Sequence, residues 1–332
     1  MRDHQREYEQ LRVLIEANDE ILIFGHQDAD GDTLGCSLAF AEALETSGKT
    51  VHVVIPPPVP RLYHWLPGSD RILEAPPVGA APGLVLFFDA GNIERSGSAV
   101  SHIGEDAVVV NIDHHTSNSM FGSINIIDSQ ASAVGQMVLD LLQELGYPIT
   151  PSMATNLYTA LMTDTGGFLH ENTTPAALDD AARLARLGAD PAQIALMIYK
   201  SRPLTTLKLS ALSLASMRVE MDGRLAWAMV SRSMLREASA VMAESEGIID
   251  TLNSLAGLGL AILFKEVNSN VTKISVRSRG EVDSAALCAQ FGGGGHLRSA
   301  GAEVRQPLEV AIPNVLGAAR DTIRSAAGRS QR

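Results

Sequence analysis

Short apolar runs recur along the first half of the chain, with hardly any polar residue inside them. Strands of this kind are buried on both faces, as in a parallel sheet that helices cover. The runs are residues 20–25, 49–55, 84–89 and 107–113. Stretches with helical periodicity lie around them, at 8–17, 34–47, 132–145, 153–163, 173–187 and 191–199. The pattern predicts an α/β domain built on a parallel sheet.

The second half of the chain has a different pattern, in which a connector helix at 201–217 precedes a new set of strands. The strands are predicted at 225–230, 259–266 and 271–277, and further helices at 282–291 and 308–327. We therefore predict three parts: a domain at 1–200, a helical linker at 201–220, and a smaller α/β domain at 221–332 that faces the first across a cleft.

Clusters of acidic residues and histidines stand where the apolar runs and one helix end. In an open parallel sheet the carboxyl ends of the strands line one crevice, so clusters distant in sequence converge there. The clusters contain His26, Asp30 and Asp32; Asp89; Asp113, His114 and His115; and Asp164. Their joint occurrence predicts a single polar site at the edge of the sheet.

Imidazole among several carboxylates is a ligand set that suits Mn²⁺ or Mg²⁺. Two such ions, about 3.5–4 Å apart, can activate a water and neutralise a phosphoryl group. Each residue also has a structural alternative, because an Asp at a strand end is often a helix N-cap, and Asp113 could serve only to orient His114. Four clusters at one edge favour a two-metal hydrolytic site over coincidental caps.

The amino-acid composition and net charge limit the kinds of molecule that such a site is expected to bind. The net charge of −12 disfavours long nucleic acids, which bind mainly basic surfaces. The two cysteines, Cys36 and Cys288, lack metal-type spacing, and no apolar stretch reaches the 18 residues of a membrane span. The polar N-terminus lacks the core of a signal peptide. We expect a cytoplasmic protein that binds no membrane.

These motifs resemble those of a known family. The first-half clusters, including Asp164-Thr-Gly-Gly, look like the four motifs of the DHH phosphoesterase superfamily. Gly292-Gly-Gly-Gly-His296, together with Val276-Arg277-Ser278, resembles the signature of the DHH-associated C-terminal domain. The length and short linker look most like the branch of oligoribonucleases and pAp phosphatases, the nanoRNases. One departure is Asp28-Ala29, where that branch commonly carries Asn-Pro.

The resemblance implies two Mn²⁺ ions, with Mg²⁺ or Co²⁺ as alternatives. It places one ion on His26, Asp30 and Asp89, and the other on Asp32, Asp89, His114 and Asp164. His115 would lie beside the scissile phosphate, and the implied catalytic residues are His115, Asp89 and Asp113.

The resemblance also implies a set of substrate-binding residues. Successive glycine amides form an anion-binding nest, and arginine supplies a bidentate fork. The set comprises Arg95 in the first domain and Arg277, Ser278, Gly292, Gly293, Gly294, Gly295 and His296 in the second.

The expected function is an Mn²⁺-dependent phosphoesterase that converts short oligonucleotides or dinucleotides to mononucleotides, or pAp to AMP and phosphate. Cyclic di-AMP hydrolysis is an alternative. An inorganic pyrophosphatase would share the metal motifs but not the glycine-rich motif at 292–296. A nucleotide sensor with a vestigial site would have lost ligands, and none is missing here. A homodimer is expected from the resemblance alone.

Overall fold

The computed structural model describes residues 4–80, 82–280 and 282–329, the last three for their backbone only. The chain forms two compact units, Met1–Ser201 and Arg202–Arg332. Within the described ranges, no helix has the length and apolar character needed to cross a bilayer.

The first unit contains a five-stranded sheet in which every strand is parallel to its neighbours, in the order β2-β1-β3-β4-β5. The strands are β1 (Glu20–Phe24), β2 (Thr50–Val54), β3 (Leu84–Phe88), β4 (Val108–Asp113) and β5 (Ile124–Ile127). The helices are α1 (Gln5–Ala17), α2 (Gly31–Thr46), α3 (Val134–Glu144), α4 (Pro151–Asp164), α5 (Pro175–Arg186) and α6 (Pro191–Ala195), which continues as a π-helical turn, Leu196–Lys200. The predicted parallel α/β architecture is confirmed.

The central strands bury both of their faces, which explains why their sequences do not alternate. Ile21 and Ile23 of β1 pack into the core formed with α2, α3 and α4, whereas Leu22 and Phe24 pack into a second core on the opposite face. A 3₁₀-helical segment, Ile93–His102, covers that second face. The sheet is thus a closed layer, and its polar residues concentrate at the strand ends.

Helices α2 and α4 lie very close together, and this proximity shapes the site. A Cβ atom added to Gly35 of α2 would come within 2.3 Å of the backbone oxygen of Asn156 in α4. A residue larger than glycine would therefore push the helices apart. The start of α2 lies beside the end of α4, so that Asp32 and Asp164 are brought to the same place.

Helix α2 starts earlier than its apolar pattern predicts, at Gly31 rather than at residue 34. The Asp30 side chain accepts hydrogen bonds from the amides of Asp32 and Thr33 and so caps the helix. Strand β5 was not predicted, because it is only four residues long and half exposed, and its polar residue interrupts the apolar signal.

The second unit contains a six-stranded sheet in the order β10-β11-β9-β8-β7-β6, mostly antiparallel, with β7 and β8 parallel. The strands are β6 (Arg218–Glu220), β7 (Leu225–Val230), β8 (Leu260–Asn268), β9 (Val271–Ser278), β10 (Gly294–Gly295) and β11 (Ser299–Val304). The helices are α7 (Leu204–Ala215), α8 (Arg232–Ala238), α9 (Ile248–Asn253), α10 (Ser284–Ala289) and α11 (Leu308–Arg329). The second α/β domain is confirmed, and the predicted connector helix is part of it as α7.

Three of the elements missed in the second unit have weak local signals. Strand β11 reads Ser-Ala-Gly-Ala-Glu-Val and has almost no β-branched or aromatic residue. Helices α8 and α9 have seven and six residues, too few to establish a helical period. Tertiary packing, and not local pattern, forms these elements: α8 and α9 share a core with α7 on one face of the sheet.

Candidate metal centre and active site

The carboxyl ends of β1, β3 and β4 carry most of the polar clusters. His26 lies two residues beyond β1, Asp89 directly follows β3, and Asp113 is the last residue of β4. Asp30 and Asp32 stand at the start of α2, and Asp164 is the last residue of α4. Strand ends and helix ends therefore meet at one edge of the sheet, as expected for a parallel arrangement.

Among the groups of side chains close enough to hold a cation, two correspond to the ligand sets that the resemblance implies. In each set the candidate ligand atoms lie within 4.8 Å of one another. The sets are His26 with Asp30 and Asp89, and Asp32 with His114 and Asp164. His114 Nε2 also lies 3.9 Å from Asp89 Oδ1, so Asp89 stands between the two sets.

The three histidines of the site all direct Nδ1 at a hydrogen-bond acceptor. His26 Nδ1 donates to the carbonyl oxygen of Gln27 (2.6 Å), His114 Nδ1 donates to that of Ala131 (3.0 Å), and His115 Nδ1 donates to Asp113 Oδ1 (2.7 Å). In a neutral ring with this tautomer the lone pair is on Nε2. Such partners fix the ring of a metal-ligating histidine.

Asp89 occupies the middle of the site and is only 2% exposed. Its Oδ2 lies 3.2 Å from His26 Nε2, and its Oδ1 lies 3.5 Å from His115 Nδ1. Burial alone would raise the pKa of Asp89, but the hydrogen bond with His26 and the charges of His115, His26 and His114 hold it below its usual value. Its backbone is left-handed, with φ of 59°, a conformation that Asp tolerates better than most residues.

Two of the other carboxylates, Asp32 and Asp164, have raised pKa values. Burial, followed by the charges of Asp30 and Asp89, raises the pKa of Asp164 to about 7. Burial and the charges of Asp89 and Asp164 also raise the pKa of Asp32. Burial by itself lowers the pKa of His114, but the charges of Asp164, Asp32 and Asp89 raise it to about 9. A divalent cation would relieve this repulsion and displace the proton from His114, so the donors fit a metal.

Two of the candidate ligands also cap helices, as their alternative interpretation suggested. Asp30 Oδ1 caps α2, and the two oxygens of Asp32 accept hydrogen bonds from the amides of Val134 (2.7 Å) and Gly135 (2.9 Å) at the start of α3. A carboxylate oxygen accepts more than one bond, so capping does not exclude metal binding. Capping fixes these carboxylates in place.

His115 belongs to a hydrogen-bonded chain that passes through Asp113. Asp113 Oδ1 accepts from His115 Nδ1, and its Oδ2 accepts from Asn118 Nδ2 at 2.6 Å. Asp113 does not hold the ring of His114, as its alternative role suggested. Its side chain accepts hydrogen bonds from the backbone amide of His114 and from the ring of His115. Asp113 is fully buried.

Family models match both units. The description "DHH family, N-terminal domain" matches residues 20–162, and "DHHA1 domain" matches residues 222–327. The chain is 31% identical over 324 residues to the bifunctional oligoribonuclease and PAP phosphatase NrnA of Thermus thermophilus, covering 96% of each chain.

The chain belongs to the DHH phosphoesterase family.

Two further proteins extend the comparison. The NrnA of Bacillus subtilis, which carries the same description, is 26% identical to this DHH phosphoesterase over 86% of the chain and 90% of its own length. An exopolyphosphatase-related protein from Bacteroides fragilis has a crystal structure that superposes with a TM-score of 0.86, at 25% identity, over 99% of this chain and 98% of its own.

Arg95 of this DHH phosphoesterase stands beside the first set of ligands. It lies in the 3₁₀ segment that Asn92 caps, and its Nη2 is 3.4 Å from His26 Nδ1. Asp28, which departs from the branch pattern, is exposed and belongs to neither of the two ligand sets.

In the DHHA1 domain, two glycines of the predicted anion-binding nest bond to the end of helix α10. The amides of Gly292 and Gly293 donate to the carbonyls of Ala289 and Cys288 and terminate α10. Gly294 and Gly295 form β10 and pair with β11. Two of the four amides of the expected nest thus have partners at the helix end, and the anion-binding role of the motif stays a prediction.

The predicted side chains of the DHHA1 domain also have internal partners. Arg277 Nε donates to Asp250 Oδ1 at 3.0 Å, and its Nη1 donates to the carbonyl of Val276. The hydroxyl of Ser278 donates to the carbonyl of Leu297 at 3.1 Å, and this side chain is buried. The His296 amide donates to the carbonyl of Ser299.

Three residues that contact the site were not singled out from sequence. Thr33 donates to Asp89, Asn118 donates to Asp113, and Asn172 Nδ2 donates to the backbone oxygen of Asp164 at 3.2 Å. Thr33 and Asn118 lie one and three positions after Asp32 and His115, and this proximity to the motifs could have indicated them. Asn172 lies eight positions after Asp164 and has no such signal.

Proposed function

We propose that this DHH phosphoesterase uses two divalent cations, with Mn²⁺ as the preferred ion, to hydrolyse short phosphorylated nucleotides. The observation that carries the proposal is the juxtaposition of His26, Asp30 and Asp89 with Asp32, His114 and Asp164, with Asp89 between the sets. Carboxylates and imidazoles in this ratio suit Mn²⁺ or Mg²⁺ better than a metal that prefers sulfur.

The residues divide the ligand roles between them. His26, Asp30 and Asp89 would hold one ion, and Asp32, Asp89, His114 and Asp164 the other. Ions held there would neutralise charge on the phosphoryl group and lower the pKa of the attacking water. Asp89 and the amide-bonded Asp32 are buried and fixed, so the protein itself supplies an oriented set of oxygens.

His115 is the proposed proton-transferring or charge-stabilising residue at the scissile phosphate. Its Nδ1–H is donated to Asp113, which keeps the ring in one tautomer and one orientation. Asn118 in turn holds the second oxygen of Asp113. Nε2 of His115 would therefore meet the substrate in a fixed orientation, within the reach that general acid–base catalysis requires.

Two observations support short substrates: the negative net charge of the chain and the activities named for its relatives. Two proteins named bifunctional oligoribonuclease and PAP phosphatase align with most of its length, which supports pAp and oligonucleotides of a few units as substrates. The net charge of −12 disfavours long strands. Arg95, Arg277, Gly294, Gly295 and His296 are the residues that we propose to contact phosphate or base.

A competition assay tests the proposal. Metal-free protein is supplied with Mn²⁺ and a mixture of pAp, linear di-adenylate, cyclic di-AMP and a ten-nucleotide RNA, and the products are separated over time. We expect pAp or di-adenylate to disappear first and the longer RNA to decay slowly. Fastest loss of cyclic di-AMP would redefine the substrate. No turnover of any of them with metal bound would refute hydrolysis and favour a nucleotide-sensing protein.

A further inference from the structure

A fully buried threonine contacts the centre of the proposed metal site. Thr33 lies in the first turn of α2, and its side chain is 0% exposed. Its hydroxyl donates a 2.7 Å hydrogen bond to Asp89 Oδ2. The same oxygen lies 3.2 Å from His26 Nε2. Thr33 thus holds the carboxylate that stands between the two ligand sets.

We propose that Thr33 is a positioning residue that fixes the Asp89 carboxylate for cation binding. This inference rests on the metal centre proposed above. It adds a residue that supplies no ligand atom itself and that acts only through the orientation of Asp89.

The two neighbours of Asp89 Oδ2 respond differently to a cation. His26 Nε2 is a candidate ligand, so its lone pair must turn to the ion and its contact with the carboxylate changes. The Thr33 hydroxyl is neutral and donates one hydrogen to one lone pair of Oδ2. A carboxylate oxygen has a second lone pair for a cation. The bond from Thr33 is therefore compatible with both states of the site.

Asp89 has neighbours of both signs: the histidines stabilise its charge, whereas the nearby carboxylates oppose it. Asp30, Asp32 and Asp164 are all close enough to influence its charge or to be influenced by it. Once the lone pair of His26 Nε2 turns to an ion, the Thr33 hydroxyl remains as a donor to Oδ2, and its loss would let the carboxylate rotate more easily. Loss of an outer partner of a metal ligand typically weakens metal affinity about 10- to 100-fold.

The methyl group of Thr33 has a separate role in packing. A Cβ atom added to Gly25, at the end of β1, would lie 2.4 Å from Thr33 Cγ2, so the methyl group fits directly against the glycine. Thr33→Val keeps this shape and removes the hydroxyl, whereas Thr33→Ser keeps the hydroxyl and removes the methyl group. The pair separates positioning from packing.

Titration calorimetry of the metal-free full chain with Mn²⁺ tests the inference. We expect Thr33→Val to weaken Mn²⁺ binding about 10- to 100-fold, and Thr33→Ser to remain within about 3-fold of the natural protein. The control is Thr159→Val, which removes another fully buried hydroxyl, one that donates to the carbonyl of Thr155 in α4. It should leave the affinity unchanged.

The outcomes separate this inference from the proposed function. If the natural protein binds Mn²⁺ and Thr33→Val binds it equally well, the positioning role is refuted and the metal centre stands. If Thr33→Ser loses as much affinity as Thr33→Val, packing explains the effect and the inference is also refuted. Absence of Mn²⁺ binding by the natural protein would overturn both. Thr33→Ala replaces Thr33→Val if circular dichroism shows that the valine variant does not fold.

Discussion

In the first unit, His26, His114 and His115 donate Nδ1–H to neighbouring oxygens, whereas in the second unit the amides of Gly292 and Gly293 are bonded to the end of α10. In the first site, a hydrogen bond at Nδ1 orients each imidazole without using the atom that would bind a metal, because the ring has a second nitrogen, Nε2. An amide has one hydrogen only, so the same kind of bond uses it up.

This difference indicates which residues to test in each unit. In the first unit, hydrogen bonds already orient the side chains that we propose as metal ligands. In the second unit, fewer groups remain as candidates for contacting the substrate, because the amides of Gly292 and Gly293 terminate α10. Four substitutions would break or sharpen the contrast.

Asp89→Ala should have the largest effect on activity. It removes the carboxylate common to both ligand sets, and loss of several kcal/mol of transition-state stabilisation corresponds to about a 1,000-fold or greater fall in kcat. The fold should survive with reduced stability, because the variant removes no apolar packing, but Ala tolerates the left-handed backbone less well than Asp and the neighbouring histidines lose a counter-charge. Steady-state kinetics with Mn²⁺ and circular dichroism measure the two effects. Asp106→Ala, at an exposed position, is the control. Substantial activity in Asp89→Ala would refute the bridging position.

Gly293→Ala should destabilise the second unit strongly. Its Cβ would lie 2.1 Å from the backbone oxygen of Gly301 in β11, a clash that costs about 1–3 kcal/mol or more in the free energy of unfolding. Gly294→Ala is the matched control, because no atom lies within 4 Å of its added Cβ. We expect urea denaturation to separate the two variants. Equal stability would show that the fold does not require Gly293.

Arg277→Ala should affect substrate binding more than chemistry. A hydrogen bond to a charged group is worth about 1.5–3 kcal/mol, so KM for a linear dinucleotide should rise about 10-fold or more. KM for a small chromogenic phosphodiester, which lacks the second nucleotide, should change little. Asp250→Ala removes the ion-pair partner of Arg277 and should raise KM for the dinucleotide less. Equal changes with both substrates would remove Arg277 from the binding residues.

Asp140→Asn should have the smallest effect, and it tests whether a raised pKa marks a metal ligand. Burial, followed by the charge of Asp180, raises the pKa of Asp140 to about 6, although neither residue belongs to the two ligand sets. The unfolded chain releases this proton near pH 4. The folded state therefore binds more protons between about pH 4 and 6, and stability falls as pH rises through this window.

Removing that charge should raise the free energy of unfolding at pH 7 by about 1 kcal/mol, with allowance for solvent screening, and by much less at pH 4. Urea denaturation at both pH values measures the difference. Mn²⁺ affinity should not change. Weaker Mn²⁺ binding would mean that the metal centre extends to α3, and an equal gain at both pH values would exclude the electrostatic cause.

The first unit was easier to predict from sequence than the second for a physical reason. Strands such as β3 are apolar throughout, and the residue that follows, Asp89, is polar because it lies at the open edge of the sheet. The second unit depends on elements such as β11, whose small residues carry no strand signal. The roles of Gly292 and Gly293 depend on where α10 ends, which the sequence does not indicate. In sequence, Thr33 looks like any other residue of α2, and only the three-dimensional structure shows its contact with Asp89.

We propose that two cations bind at the strand ends of the first unit. Crystals grown with Mn²⁺, measured at the manganese absorption edge, test it directly. We expect two anomalous peaks, one among His26, Asp30 and Asp89 and the other among Asp32, His114 and Asp164, with Asp89 contacting both. A single peak, or peaks away from these residues, would contradict it.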